Sequence, residues 1–182
     1  MSRRIVLTAT AFLLSAGVGL GMAAVAGARS TSAVVAQASG AGNSAGITAA
    51  RAAAIALQRV PGGTVVDVDP GSEDGQAVWE VLVRRADNTG IEFYLKATTG
   101  EILRQERESL PPEALRPGPA VTAQRAITTA AAAVPGGRVI AIDLDTENGR
   151  TVWDVDVAGP DGPIEVTIDA ATGRILQQRR AD

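Results

Sequence analysis

Between Thr48 and Val60 apolar residues recur at helical spacing, at Ala52, Ile55, Ala56 and Val60. The same spacing returns at Ile127, Ala130, Ala131 and Val134. Thr48 and Thr122 stand in the N-cap positions of these two predicted helices, where a hydroxyl accepts a bond from an otherwise unpaired backbone N–H. Pro-Gly-Gly at 61–63 and 135–137 ends both, since proline cannot continue a helix and glycine accepts left-handed geometry. Past each stop the period changes to two. Val65 to Asp69, Val78 to Arg84 and Ile91 to Lys96 alternate apolar with polar, as do Val139 to Asp143, Val152 to Ala158 and Ile164 to Asp169, and a short fourth run begins at Ile102 or Ile175. These runs predict antiparallel strands with one face turned to the helix. Val66, Val68, Trp79, Val81, Val83, Ile91, Phe93 and Leu95 form that face in the first copy, and Ile140, Ile142, Trp153, Val155, Val157, Ile164, Val166 and Ile168 in the second. The opposite face is polar and largely acidic.

The two series are one series written twice. A shift of 74 positions lays Thr48 to Ala52 on Thr122 to Ala126, Val60 to Gly63 on Val134 to Gly137, and Val78 to Val81 on Val152 to Val155. After one deletion, Thr99 to Leu103 falls on Thr172 to Leu176. Repetition this long signals a duplicated unit. The expected fold is α+β: two small modules, at 47–108 and 121–182, each one N-terminal helix packed on a three- or four-stranded antiparallel sheet. Residues 109–120, with Pro111, Pro112, Pro117 and Pro119, read as a semi-rigid and exposed linker. Modules of about 60 residues are near the lower limit for independent folding, which leaves room for the copies to pack on each other.

Ahead of the repeat, Arg3 and Arg4 precede an uncharged run from Ile5 to Ala28, the pattern of an export signal or membrane anchor over 1–28. Ala26-Gly27-Ala28 and Ala36-Gln37-Ala38 both fit an A-x-A cleavage site. Residues 29–46, rich in Ala, Ser and Gly, read as a flexible tether. The expected location is therefore secreted, or anchored to the outer face of the cytoplasmic membrane, with membrane contact only through the N-terminal segment. The chain has no Cys, so the modules must fold by packing alone, and aromatics make up 3% of it, so the cores must be small. Loss of Arg3, Arg4 and Arg29 on cleavage would leave 14 basic against 20 acidic residues, a balance that argues against nucleic acid as a partner.

With neither His nor Cys in the chain, Ser-His-Asp and Cys-His nucleophiles and His-rich zinc sites are excluded. A carboxylate-pair hydrolase would need a raised carboxyl pKa, which outward strand positions and turns do not readily provide. No enzyme, cofactor or metal is expected. Asp143, Asp145, Glu147 and Asp154 echo a calcium loop, but glycine falls one position late and Asp replaces the final Glu, so a solvated hairpin connection is the reading adopted. Trp79 and Trp153 read as core anchors. Asp169, Thr172 and Gly173 suit a tight turn.

The Thr-capped Ala-rich helix, the Val-Pro-Gly-Gly stop, the aromatic-bearing strand and the ending Asp169-Ala170-Ala171-Thr172-Gly173-Arg174-Ile175-Leu176 together resemble the PepSY domain, over Ile47 to about Arg107 and Val121 to about Arg180. The first copy departs from that ending at Lys96 and Thr98. The domain is similar to a module in propeptides of thermolysin-like secreted metallopeptidases. The resemblance implies a non-catalytic protein that inhibits or regulates a secreted peptidase or binds another envelope protein. The alternative is a module sensing a small ligand, an ion or the envelope surface. The two outward faces differ. The second copy presents Asp143, Asp154, Asp156, Glu165 and Asp169, while the first mixes Leu82 and Tyr94 with Glu80, Arg84, Glu92 and Lys96. An exposed Tyr94 beside Leu82 and Arg84 matches the composition of binding hot spots and makes these three the candidate partner contacts. The competing reading has Leu82 and Tyr94 covering a contact between the copies.

Overall fold

Helix α1 (Ala49–Arg59) and helix α2 (Ala123–Ala133) each start where a threonine hydroxyl takes up a free backbone donor. Thr48 Oγ1 accepts from the Arg51 N–H at 3.2 Å and Thr122 Oγ1 from the Arg125 N–H at 3.3 Å. Each ends at a valine followed by proline and a left-handed glycine, Gly62 at φ 77° and Gly136 at φ 76°. These elements belong to a computed structural model that describes residues 46–180. The export segment and nearly all of the tether expected from the sequence lie outside the described residues.

The strands follow in the order β1 (Thr64–Glu73), β2 (Gln76–Arg84), β3 (Gly90–Lys96) and β4 (Ile102–Glu108). After a 3₁₀-helix (Pro112–Leu115) and α2 come β5 (Arg138–Glu147), β6 (Arg150–Gly159), β7 (Gly162–Asp169) and β8 (Ile175–Arg180). The α+β class and antiparallel pairing agree with the sequence, but the strands do not form two separate sheets. They make one eight-stranded sheet, ordered β4-β3-β2-β1-β5-β6-β7-β8. The joint is β1 against β5, where Val68 sits opposite Ile142 and Asp67 opposite Asp143. Val68 and Ile142 are equivalent under the 74-residue repeat, so a pseudo-two-fold axis passes through this pair. It places both helices on the same side of the sheet, over a single core that includes Ala52, Ala56, Val68, Ala126, Ala130 and Ile142, all fully buried. Alanines at these helix positions let the backbones approach the sheet closely.

Several details depart from the periodicity. Ala131 is exposed, and Ala123 and Ala126 take up the buried stripe of α2 instead. Strands β1 and β5 run four residues past their predicted ends because Asp74-Gly75 and Asn148-Gly149 form two-residue turns with φ positive at both positions, a geometry whose twist matches the flanking strands. The segment read against a calcium loop is thus a strand, a tight turn and a strand. A bulge at Val66, repeated at Ile140, buries Val65 and Val139, which the alternation does not place in the core; Val66 stays buried, but Ile140, predicted to face the helix, is only half-buried because the bulge displaces it. Pro70 fits within β1 because it lies beyond the residues paired with β5, where its missing N–H is not needed.

Both tryptophans are core anchors. Trp79 is 5% exposed and Trp153 fully buried, and their indole N–H groups donate to Ile47 O at 3.0 Å and Val121 O at 2.8 Å. Each ties the approach to its helix down onto the sheet. The turn after β7 is structural too. Asp169 accepts from the N–H groups of Ala171 and Thr172 and from the Thr172 hydroxyl, while Gly173, at φ 76°, donates its N–H to Asp169 O. The first half keeps the backbone part of this turn, Gly100 N–H to Lys96 O at 2.8 Å, without the acid.

Candidate functional site

The helices cover one face of the sheet and leave the other to side chains at alternate strand positions. Register sorts these into two rows crossing the strands. One runs Glu92, Leu82, Asp67, Asp143, Asp154, Thr167. The other runs Tyr94, Glu80, Asp69 on one side of the axis and Ala141, Asp156, Glu165 on the other. The pseudo-two-fold axis exchanges the rows. Carboxyl groups from both copies therefore meet at the middle of the sheet.

Their crowding changes their chemistry. Burial, then the neighbouring Asp69 and Asp143, pushes the Asp67 carboxyl well above the usual range. Asp69 is raised to about 6 by burial and by Glu80. Asp143 is raised to about 7, mainly by burial and then by Asp145 and Asp69. Asp154 is raised to about 6 by burial, opposed by the Thr167 hydroxyl that donates to it at 2.8 Å. Asp156 is raised by burial and Glu165. This corrects the expectation that outward acids stay ordinary: an outward position in the middle of an eight-stranded sheet is flanked by acids on both sides and loses much of its water. Among the described residues no group of three or more His, Cys, Asp or Glu is placed to hold a metal ion. A shallow depression lined by Ile164, Gln178, Arg179 and Arg180 lies at the β7–β8 end, off the central acids.

Leu82, Tyr94 and Arg84 lie on this open face, though not as exposed hot-spot residues. Tyr94 is 8% exposed because the Arg104 guanidinium stacks on its ring at 3.8 Å. Its hydroxyl donates to Glu92 Oε2 at 2.7 Å and lies 3.1 Å from Glu106 Oε1, and burial with these carboxylates holds its pKa above the ordinary value. Arg104 in turn pairs with Glu73 at 2.7 Å and with Glu106. Leu82 is 7% exposed. Arg84 reaches the linker itself, donating to Ala114 O at 2.7 Å and Arg116 O at 3.0 Å. The segment 109–120 is accordingly held at Ala114, while Pro117 and Gly118 remain exposed. Sequence reasoning missed the central acids as a group. Their alternation at 67, 69, 143 and 145 marked the right face, but only the β1–β5 pairing brings them together.

The family model described as "Peptidase propeptide and YPEB domain" (PepSY) matches residues 46–106 and again 120–179, more than half of the chain. No curated protein matches the chain. Among solved structures, a candidate lipoprotein from Clostridium difficile 630 is similar at 19% identity and a TM-score of 0.40, over 69% of this chain and 88% of that one. No helix among the described residues is long and apolar enough to cross a membrane.

Proposed function

This chain belongs to the PepSY family, with the domain present twice, and from that membership we propose that it is an exported, non-catalytic binding protein that restrains or regulates an extracytoplasmic peptidase. The observation that carries the reading is the doubled match to a peptidase propeptide module. Two features support it. The residues of the family ending are occupied with turn formation, Asp169 and Gly173 in the second half and Lys96 and Gly100 in the first. A sequence with no His or Cys lacks the usual nucleophile systems. In this reading the protein is secreted or held at the outer face of the cytoplasmic membrane by residues 1–28, and the two domains span 47–108 and 121–182. The partner meets the open face of the sheet, and it reaches Leu82 and Arg84 as the linker segment around Ala114 lifts away.

One observation favours the second reading, a sensor of a small ligand, an ion or the envelope surface. The open face sets acids of both copies side by side in two rows, a polar surface suited to a polar ligand or the envelope surface. The two readings separate on what the exported form of the chain retains from the culture fluid and envelope of the producing cell. The first expects a peptidase whose activity, assayed on its own, falls as the chain is added back in equimolar amounts. A retained peptidase whose activity is unchanged, or recovery of glycan, lipid or metal without protein, overturns it.

A further inference from the structure

Strands β1 and β2 pair over nine positions, as do β5 and β6, whereas the sheet is continuous between the halves through two pairs only, Asp67 with Asp143 and Val68 with Ile142. Val68 and Ile142 are fully buried on the helix side. On the open side this seam sets two carboxyl groups directly opposite each other, an arrangement that is destabilising between like charges. Asp67 Oδ1 is buried and has no hydrogen-bond partner. The fold does not require the acid. Ala141 occupies the equivalent position in the second half.

The groups around the pair are mostly of the same sign. Asp67 faces Asp69 on its own strand, Asp143 on β5 and Glu92 on β3. Asp143 faces Asp145 on its own strand, Asp69 on β1, Asp154 on β6 and Glu113 from the linker. Asp69 adds Glu80 on β2 and Asp156 on β6. The nearby cations are engaged: Arg84 with linker carbonyls, Arg104 with Glu73 and Glu106, Arg150 with Asp169 and Arg179 with Glu165.

We propose that the β1–β5 seam is a proton-operated catch, which locks the two halves into one sheet while Asp67 and Asp143 hold protons and loosens when both ionise. In the loosened state the β1–β5 pairs open while each half keeps its own strand pairings, and the helix-side core that the halves share still holds them together. Burial and mutual repulsion raise both groups, Asp143 to about 7 and Asp67 well above its ordinary value. Folded-state values above the unfolded ones mean that the native seam holds more protons, so its stability is present in acid and is lost as pH rises through the folded values. The catch acts on the fold itself and is independent of which partner the protein binds.

Hydrogen exchange of the full chain, with each rate divided by the intrinsic rate at the same pH, tests this directly. In the wild type, protection of segments 65–69 and 140–144 is expected to fall about tenfold or more between pH 5.5 and 8.5, one pKa unit being worth a factor of ten, while β3 and β7 change little. Asp67→Ala, which copies Ala141, and Asp67→Asn combined with Asp143→Asn, which keeps shape without charge, are both expected to hold the acid-form protection at both pH values. Seam protection in the wild type that does not change with pH, or that falls equally in the neutral variants, overturns the proposal.

Discussion

Replacing Trp79 by alanine measures how far one half of the sheet depends on the other. The indole is 5% exposed and its N–H donates to Ile47 O at 3.0 Å, so the substitution empties a core site and removes the tie at the start of α1. Opening such a cavity costs about 3–5 kcal/mol. The unpaired Ile47 carbonyl, only partly buried, adds ~1 kcal/mol. The chain has two tryptophans, so in Trp79→Ala the one left, Trp153, lies in the other half and reports on it alone. Urea unfolding at pH 5.5, where the seam carboxyls hold their protons, is followed by emission excited at 295 nm to spare Tyr94. If the sheet and its continuous core unfold as one unit, the Trp153 midpoint falls by about 2.5 M, from ~5 kcal/mol and a urea slope of about 2 kcal/mol/M. A Trp153 midpoint that stays at its wild-type value refutes the argument, since the second half would then be stable without the first.

Three further outcomes are expected. Gly100→Ala places a Cβ 2.6 Å from Ile55 Cδ1 at a φ of +78°, and thermal unfolding should show a loss of about 1–3 kcal/mol. Arg84→Ala removes the bonds to Ala114 O and Arg116 O, so limited proteolysis should cut within 109–120 several-fold faster than in the wild type while the sheet survives. Asp69, raised to about 6, makes native stability decline as pH rises from about 4 to about 6, because the native state holds a proton that the unfolded chain has released. Asp69→Asn should flatten the pH profile of the unfolding free energy there by up to ~3 kcal/mol, and a profile as steep as wild type would place the effect elsewhere.

Much of the fold can be read from neighbouring residues. Thr48 with Pro61-Gly62, and Thr122 with Pro135-Gly136, bound the helices because caps and stops act within one turn of chain. The period-two runs place Trp79, Phe93, Trp153 and Val166 on the covered face, and Asp169-x-x-Thr172-Gly173 forms the turn that its side chains specify. The bulges at Val66 and Ile140 carry no local signature. They arise from registration against β2 and β6, and they move Val65 and Val139 into the core.

The candidate site divides along the same line. Alternation alone determined that Leu82, Tyr94, Asp67 and Asp143 share the face away from the helices, since successive residues of a strand point to opposite sides. Their environments depended on residues distant in sequence. Arg104 covers Tyr94 from the next strand, linker carbonyls take up Arg84, and Asp143 reaches Asp67 only because two strands far apart in the chain become neighbours. Sequence by itself determined the caps, the periods, the repeat and the absence of histidine and cysteine, all of them local or compositional. Tertiary structure alone decided that the two copies share one sheet, because a short repeat buries its free strand edge and its apolar face best against its own duplicate, and in doing so brings the acids of both copies to the middle of the sheet.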